Sequence, residues 1–128
     1  MAGKHRLLVV DDDALNARTL SEIFVLRGYA AQEAHSGREA LELVKQARYS
    51  AVLSDIKMEG MNGVELLRAV KAIQHDIVFI LMTAYTDDEL ILQGVREGAL
   101  VTMVKPLDIE RLLAQIGHIL NHRRPYQM

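Results

Sequence analysis

The sequence predicts an α/β fold, an open doubly wound sandwich on a parallel sheet, and three observations carry that prediction. Short β-branched apolar runs alternate with longer stretches of helical spacing five times along the chain. Several of those runs are continuously apolar, as strands covered on both faces must be. Strand and helix alternating at this pitch imply right-handed crossovers, and five such units in 128 residues are too few to close an eightfold barrel.

The elements follow in order. Arg6–Val10 is the first strand, and Leu20, Ile23 and Phe24 give the first helix its apolar stripe. Asp13 is placed to cap that helix and Gly28 to end it in a left-handed turn. Tyr29–Ala34 is the second strand, and the second helix carries Leu41, Val44 and Ala47 behind a Ser36 cap. Ala51–Ser54 is the third strand, followed by a helix with Leu67, Val70 and Ile73. Ile77–Met82 is the fourth; its helix has Leu90, Ile91 and Val95, with Thr86 as cap and Gly98 as stop. Leu100–Val104 is the fifth, before a helix capped by Asp108 with apolar residues at Ile109, Leu112, Leu113, Ile116, Ile119 and Leu120.

Composition bounds what the chain does. There is no cysteine, which removes disulfide scaffolds and thiolate metal sites. Fifteen Lys and Arg stand against 17 Asp and Glu, with both signs interspersed, so no basic footprint for direct nucleic-acid binding exists. The longest purely apolar run, Ile77 to Met82, is far short of the roughly 20 residues a membrane span needs. The chain reads as one soluble, cytoplasmic domain over residues 1–121. Residues 122–128 read as a C-terminal tail or the start of a linker.

In an open α/β sheet, ligands bind beyond the carboxyl ends of the strands. There the first strand is followed by Asp11-Asp12-Asp13, the third by Asp55, the fourth by Thr83 and the fifth by Lys105-Pro106. One aspartate after a strand is usually a helix cap or a turn residue, and a Lys-Pro pair usually a loop. Complementary groups at four strand ends out of five exceed what turn propensity supplies. Asp11, Asp12 and Asp55 in one place repel one another unless a cation neutralises them, and an all-oxygen set suits Mg²⁺, with Mn²⁺ as an alternative. Lys105 and Thr83 suit phosphoryl oxygens. Either a ligand brings the phosphoryl group, or Asp55 becomes an aspartyl phosphate.

Between Arg6 and Leu120 the sequence resembles the receiver domain of bacterial two-component response regulators. The resemblance rests on Leu7-Leu8-Val9-Val10-Asp11-Asp12-Asp13, Val52-Leu53-Ser54-Asp55-Ile56-Lys57-Met58, Met61-Asn62-Gly63, Ile80-Leu81-Met82-Thr83-Ala84-Tyr85, Gly98-Ala99 and Val104-Lys105-Pro106-Leu107. The Met-Thr-Ala-Tyr and Lys-Pro-Leu-Asp runs are most similar to the nitrogen-regulator (NtrC-like) branch. The resemblance implies a flavodoxin-like (βα)5 fold with strand order 2-1-3-4-5. It implies that Asp55 takes a phosphoryl group from a phosphohistidine on a sensor histidine kinase or phosphotransfer protein. It further implies Mg²⁺ held by Asp12, Asp55 and the main-chain carbonyl of Lys57, with Asp11 acting through water. Thr83 and Lys105 would hold the phosphoryl oxygens, and the Lys105–Pro106 bond would be cis. On this reading the chain is a switch, not a turnover enzyme, catalysing only its own phosphorylation and dephosphorylation. Its changed face, formed by helix four, strand five and helix five, would control an output domain or partner protein, or form a homodimer.

Two positions depart from the family pattern. Glu59 stands where a proline is common and sets a carboxylate near the mouth of the site. Thr102, three residues before Lys105, stands where the family usually has the aromatic switch, so Tyr85 is expected to take more of that load beside Thr83. A receiver that works as a phosphorylation-independent interaction domain is the first rival function, and a small aspartate-based phosphatase the second. Other signals fall away. Leu15 and Asn16 occupy ligand and glycine positions of a calcium loop, and Leu15 also breaks the haloacid-dehalogenase pattern. His118 and His122, four apart, lack a third ligand, and the three aspartates argue against a flavin phosphate loop.

Overall fold

The computed structural model describes residues 4–84 and 88–122. Ten elements alternate: β1 (Arg6–Val10), α1 (Ala14–Leu26), β2 (Ala30–Ala34), α2 (Gly37–Gln46), β3 (Ala51–Asp55), α3 (Gly63–Ile73), β4 (Val78–Thr83), α4 (Asp88–Glu97), β5 (Val101–Val104) and α5 (Ile109–His122). The strands form one parallel sheet in the order β2-β1-β3-β4-β5. The predicted class, strand order and five strand–helix units are therefore present.

Side-chain alternation along each strand divides the core between the two faces of the sheet. Leu8, Val10, Val52, Phe79 and Leu81 pack under α2, α3 and α4 with Val44, Leu67 and Val70. Leu7, Val9, Leu53, Ile80 and Met82 pack under α1 and α5 with Phe24, Leu112 and Ile116. Burying one such Leu, Ile or Phe stabilises the fold by about 1.5–3 kcal/mol relative to exposure. Both faces thus hold the strand ends in place.

Helix starts follow the expected chemistry. Asp13 accepts from the amides of Leu15 and Asn16, Ser36 from Glu39, and Asp108 from Arg111. The α3 start was not anticipated from sequence. Asn62 Oδ1 accepts from the Glu65 amide at 2.8 Å and Glu65 Oε1 accepts from the Asn62 amide at 2.9 Å, a reciprocal box. Gly28 and Gly98 adopt φ of +95° and +107° after α1 and α4, the left-handed turns their positions suggested. Thr86 lies outside the described residues.

Two stripes differ from expectation. Ile73 and Val95 are 45% and 56% exposed although their spacing placed them on buried faces. On α4 the cause is close packing through Gly94, where an added Cβ would stand 2.5 Å from Leu81 Cδ1. The helix therefore turns Leu90, Ile91 and Gly94 inward and Val95 out. Strand ends also shift by one residue. The Ile77 amide bonds the Gln74 carbonyl in a turn, so the β4 ladder begins at Val78, and β3 and β4 run on to include Asp55 and Thr83.

Candidate functional site

All five strands point the same way, so their carboxyl ends share one edge, and there Asp11, Asp12, Asp55 and Lys105 meet. Asp11, at the end of β1, is 3% exposed, while Asp12 beside it is open to solvent. Asp55 closes β3 and is partly buried. Carboxylate oxygens of Asp11, Asp12 and Asp55 lie within 4.8 Å of one another. Lys105, just past β5, donates from Nζ to Asp11 Oδ2 at 3.0 Å and to Asp55 Oδ2 at 3.3 Å. The Lys105–Pro106 peptide is cis.

Backbone contacts fix each member. The Asp13 amide donates to Asp11 Oδ1 at 3.0 Å. The Ile56 amide donates to Met82 O and the Gly63 amide to Ile56 O, which folds the β3–α3 loop back against β3. Gly63 is required there, because a Cβ would come within 2.4 Å of the Asp55 carbonyl oxygen. Thr83 is 1% exposed at the end of β4, and its carbonyl accepts from the Lys105 amide at 2.7 Å. That bond ties the ends of β4 and β5. Lys57 lies in the β3–α3 loop with an exposed side chain.

Electrostatics match this crowding. Burial raises the Asp55 carboxyl above its ordinary range; Lys105 opposes that shift, and the neighbouring charges of Asp11 and Asp12 add to it. Burial alone would lower the Lys105 ammonium, but its bonds to Asp11 and the charges of Asp55 and Asp11 outweigh it and raise the pKa. Three acidic groups against one ammonium in direct contact leave a net negative, oxygen-lined pocket. A hard divalent cation fits such a donor set.

Of the remaining predicted residues, Thr102 lies within β5. Thr102 pairs in register with Leu81, whose side chain belongs to the core beneath α2, α3 and α4. Its Oγ1 is buried with no hydrogen-bond partner among the described residues. Tyr85 lies outside the described residues. Two features escaped the sequence reading. The Glu59 amide donates to Asp12 Oδ2 at 3.2 Å, a main-chain contact that no residue type announces. A cavity of about 410 Å³ opens beside Asp11 and Lys105 and follows α1, walled by Leu15, Leu20, Ile23, Pro106, Leu107 and Ile109.

The family model of the response regulator receiver domain matches residues 7–117. The chain belongs to that family. This receiver domain is 37% identical over 116 residues to the transcriptional regulatory protein ZraR of Escherichia coli K12, covering 91% of the chain and 26% of that protein. It thus spans about a quarter of that relative's length. It is 37% identical over 107 residues to sporulation initiation phosphotransferase F of Bacillus subtilis, covering 84% of the chain and 86% of that protein. The match to ZraR agrees with the nitrogen-regulator-like branch. A response regulator from Burkholderia pseudomallei, solved with a phosphorylated aspartic acid, calcium ion and citrate, superimposes with a TM-score of 0.83 at 28% identity, covering 92% of this chain and 69% of that one. A receiver domain is a phosphoacceptor module in two-component signalling, so this chain is a phosphorylation-dependent signal transduction switch.

Proposed function

We propose that Asp55 is the phosphoacceptor, charged by a phosphohistidine of a sensor kinase or phosphotransfer protein. The observation that carries this reading is the position of Asp55: last residue of a central strand, within reach of two further aspartates and bonded to Lys105. In the transfer an Asp55 carboxylate oxygen forms the new bond to phosphorus as the phosphorus–nitrogen bond breaks, and the imidazole leaves with that electron pair. Lys105 offsets negative charge on the phosphoryl oxygens, and the Thr83 hydroxyl donates to one of them. Asp12, Asp55 and the Lys57 carbonyl would hold Mg²⁺, or Mn²⁺, directly, with Asp11 acting through water; the bound ion would neutralise the carboxylates and polarise the phosphoryl group. The chain catalyses only its own phosphorylation and dephosphorylation. The apolar cavity along α1 gives the donor protein a seat next to the acceptor.

The domain occupies residues 1–121, with 122–128 as tail or linker, and works in the cytoplasm; among the described residues no helix is long and apolar enough to cross a membrane. The output surface is the face of α4, β5 and α5, where Leu92, Val95, Leu100 and Val104 are all exposed. An output domain, a partner protein or a second copy covers it, and nucleic acid is not bound directly.

Incubation with acetyl phosphate and Mg²⁺, read by intact mass, tests the assignment. One added phosphoryl group is expected, absent in Asp55→Asn and strongly reduced in Asp12→Ala. Modification of Asp55→Asn at the wild-type rate overturns the choice of acceptor.

A further inference from the structure

The three site aspartates are not held alike. Asp11 is fixed by the Asp13 amide on one oxygen and by Lys105 on the other. Asp55 has Lys105. Asp12 is exposed, receives nothing from Lys105, and among the described residues its one donor is the main-chain amide of Glu59, 3.2 Å from Oδ2. A lone exposed carboxylate beside two others would rotate away from them into water.

The amide that restrains it is itself well placed. Ile56 is 1% exposed and Met58 8%, so the β3–α3 loop is pinned into the core on either side of Lys57. Gly60, at φ of +79°, reverses the chain immediately after Glu59. The loop that carries Asp55 and Lys57 is thereby tied to the loop that carries Asp12. Oδ2 of Asp12 is engaged by the amide. The Glu59 side chain takes no part in this contact. A proline, common at this position in receiver domains, has no N–H to offer.

We propose that Glu59 is a positioning residue for the divalent cation, acting on Asp12 through its main-chain amide and so raising the affinity of the site. This rests on the metal-dependent reading given above. Partners that orient a metal ligand from behind typically change metal affinity 10- to 100-fold when lost, and an exposed single bond belongs at the lower end.

Mg²⁺ binding, measured by calorimetry and by the Mg²⁺-dependent rise in melting temperature, is compared for wild type, Glu59→Ala and Glu59→Pro. Both variants lose the carboxylate, but only the proline loses the amide hydrogen. Binding roughly tenfold weaker in Glu59→Pro than in Glu59→Ala is expected. Equal affinities in the two variants overturn the proposal. Should the proline variant melt well below the alanine variant without metal, the wild-type Glu59 amide proton is followed by NMR instead. It is expected to move upfield in Asp12→Ala, as loss of its acceptor requires. An unmoved Glu59 resonance overturns the proposal. A wild-type protein whose melting temperature ignores Mg²⁺ overturns the metal reading itself, a result distinct from either of these.

Discussion

Lys105 serves two carboxylates with one ammonium, and that arithmetic governs the metal-free protein. Asp55 is held above its usual range by burial first and by Asp11 and Asp12 after it, with Lys105 opposing. An acid whose folded pKa exceeds its unfolded one is a source of stability only while protonated, so its ionisation weakens the fold as pH rises through the raised value. Asp55→Asn is therefore expected to melt above wild type at neutral pH without Mg²⁺. The difference should shrink as the pH falls through the raised pKa toward the ordinary carboxylate value. A variant that melts at or below wild type at pH 7 contradicts this. Lys105→Ala is the converse: melting temperature falls without metal, and Mg²⁺ restores more of it than in wild type. At this scale the sequence was highly informative about side chains. Asp11, Asp12, Asp55 and Lys105 could be named because each follows an apolar run, and parallel strands bring such positions together. The Glu59 amide could not, since every residue but proline carries one.

Elements impose the next constraint, and α3 shows it best. Its first residue, Gly63, lies under the Asp55 carbonyl at a separation that leaves no room for a side chain. Gly63→Ala must push either the β3 end or the helix start aside, at a cost of about 1–3 kcal/mol. The displaced Asp55 should also take up phosphate more slowly, which acetyl phosphate kinetics and thermal melting read separately. Asn62→Ala, which removes a cap one residue earlier, should cost about 1 kcal/mol with little effect on that rate. Equal loss of rate in both variants contradicts a distinct role for the glycine contact. The Asn-x-x-Glu pattern of this cap was visible in sequence, although nothing singled it out from the adjoining Met61-Asn62-Gly63 turn. The exposed faces of α3 and α4 were hidden for a different reason. Periodicity finds an apolar stripe but not its centre, and a glycine at the contact, as at Gly94, leaves no apolar residue to mark it.

Across the whole molecule, the fold class was readable from the alternation of strand and helix, whereas the strand order was not. Five right-handed units can be wound onto a sheet in several orders, and 2-1-3-4-5 came with the family resemblance. That order makes β1, β3 and β4 interior and leaves β2 and β5 as edges. Amide exchange should accordingly be slowest in the three interior strands, at the rate of global unfolding, and faster in β5 and α4. Exchange in β5 as slow as in β4 contradicts this. The edges carry one more consequence, which concerns solubility. Edge β2 displays Gln32 and Glu33, and edge β5 is four residues long and halted by Pro106, so neither invites another chain to add on. The strand behind β5 is different: Val78 to Thr83 is wholly buried, uncharged and free of proline, the composition that drives intermolecular β pairing. Four residues of β5 are its cover. Opening of that short strand, well before the chain unfolds, is enough to bare a sticky edge, so the temperature at which this protein begins to aggregate is set by how firmly β5 stays docked.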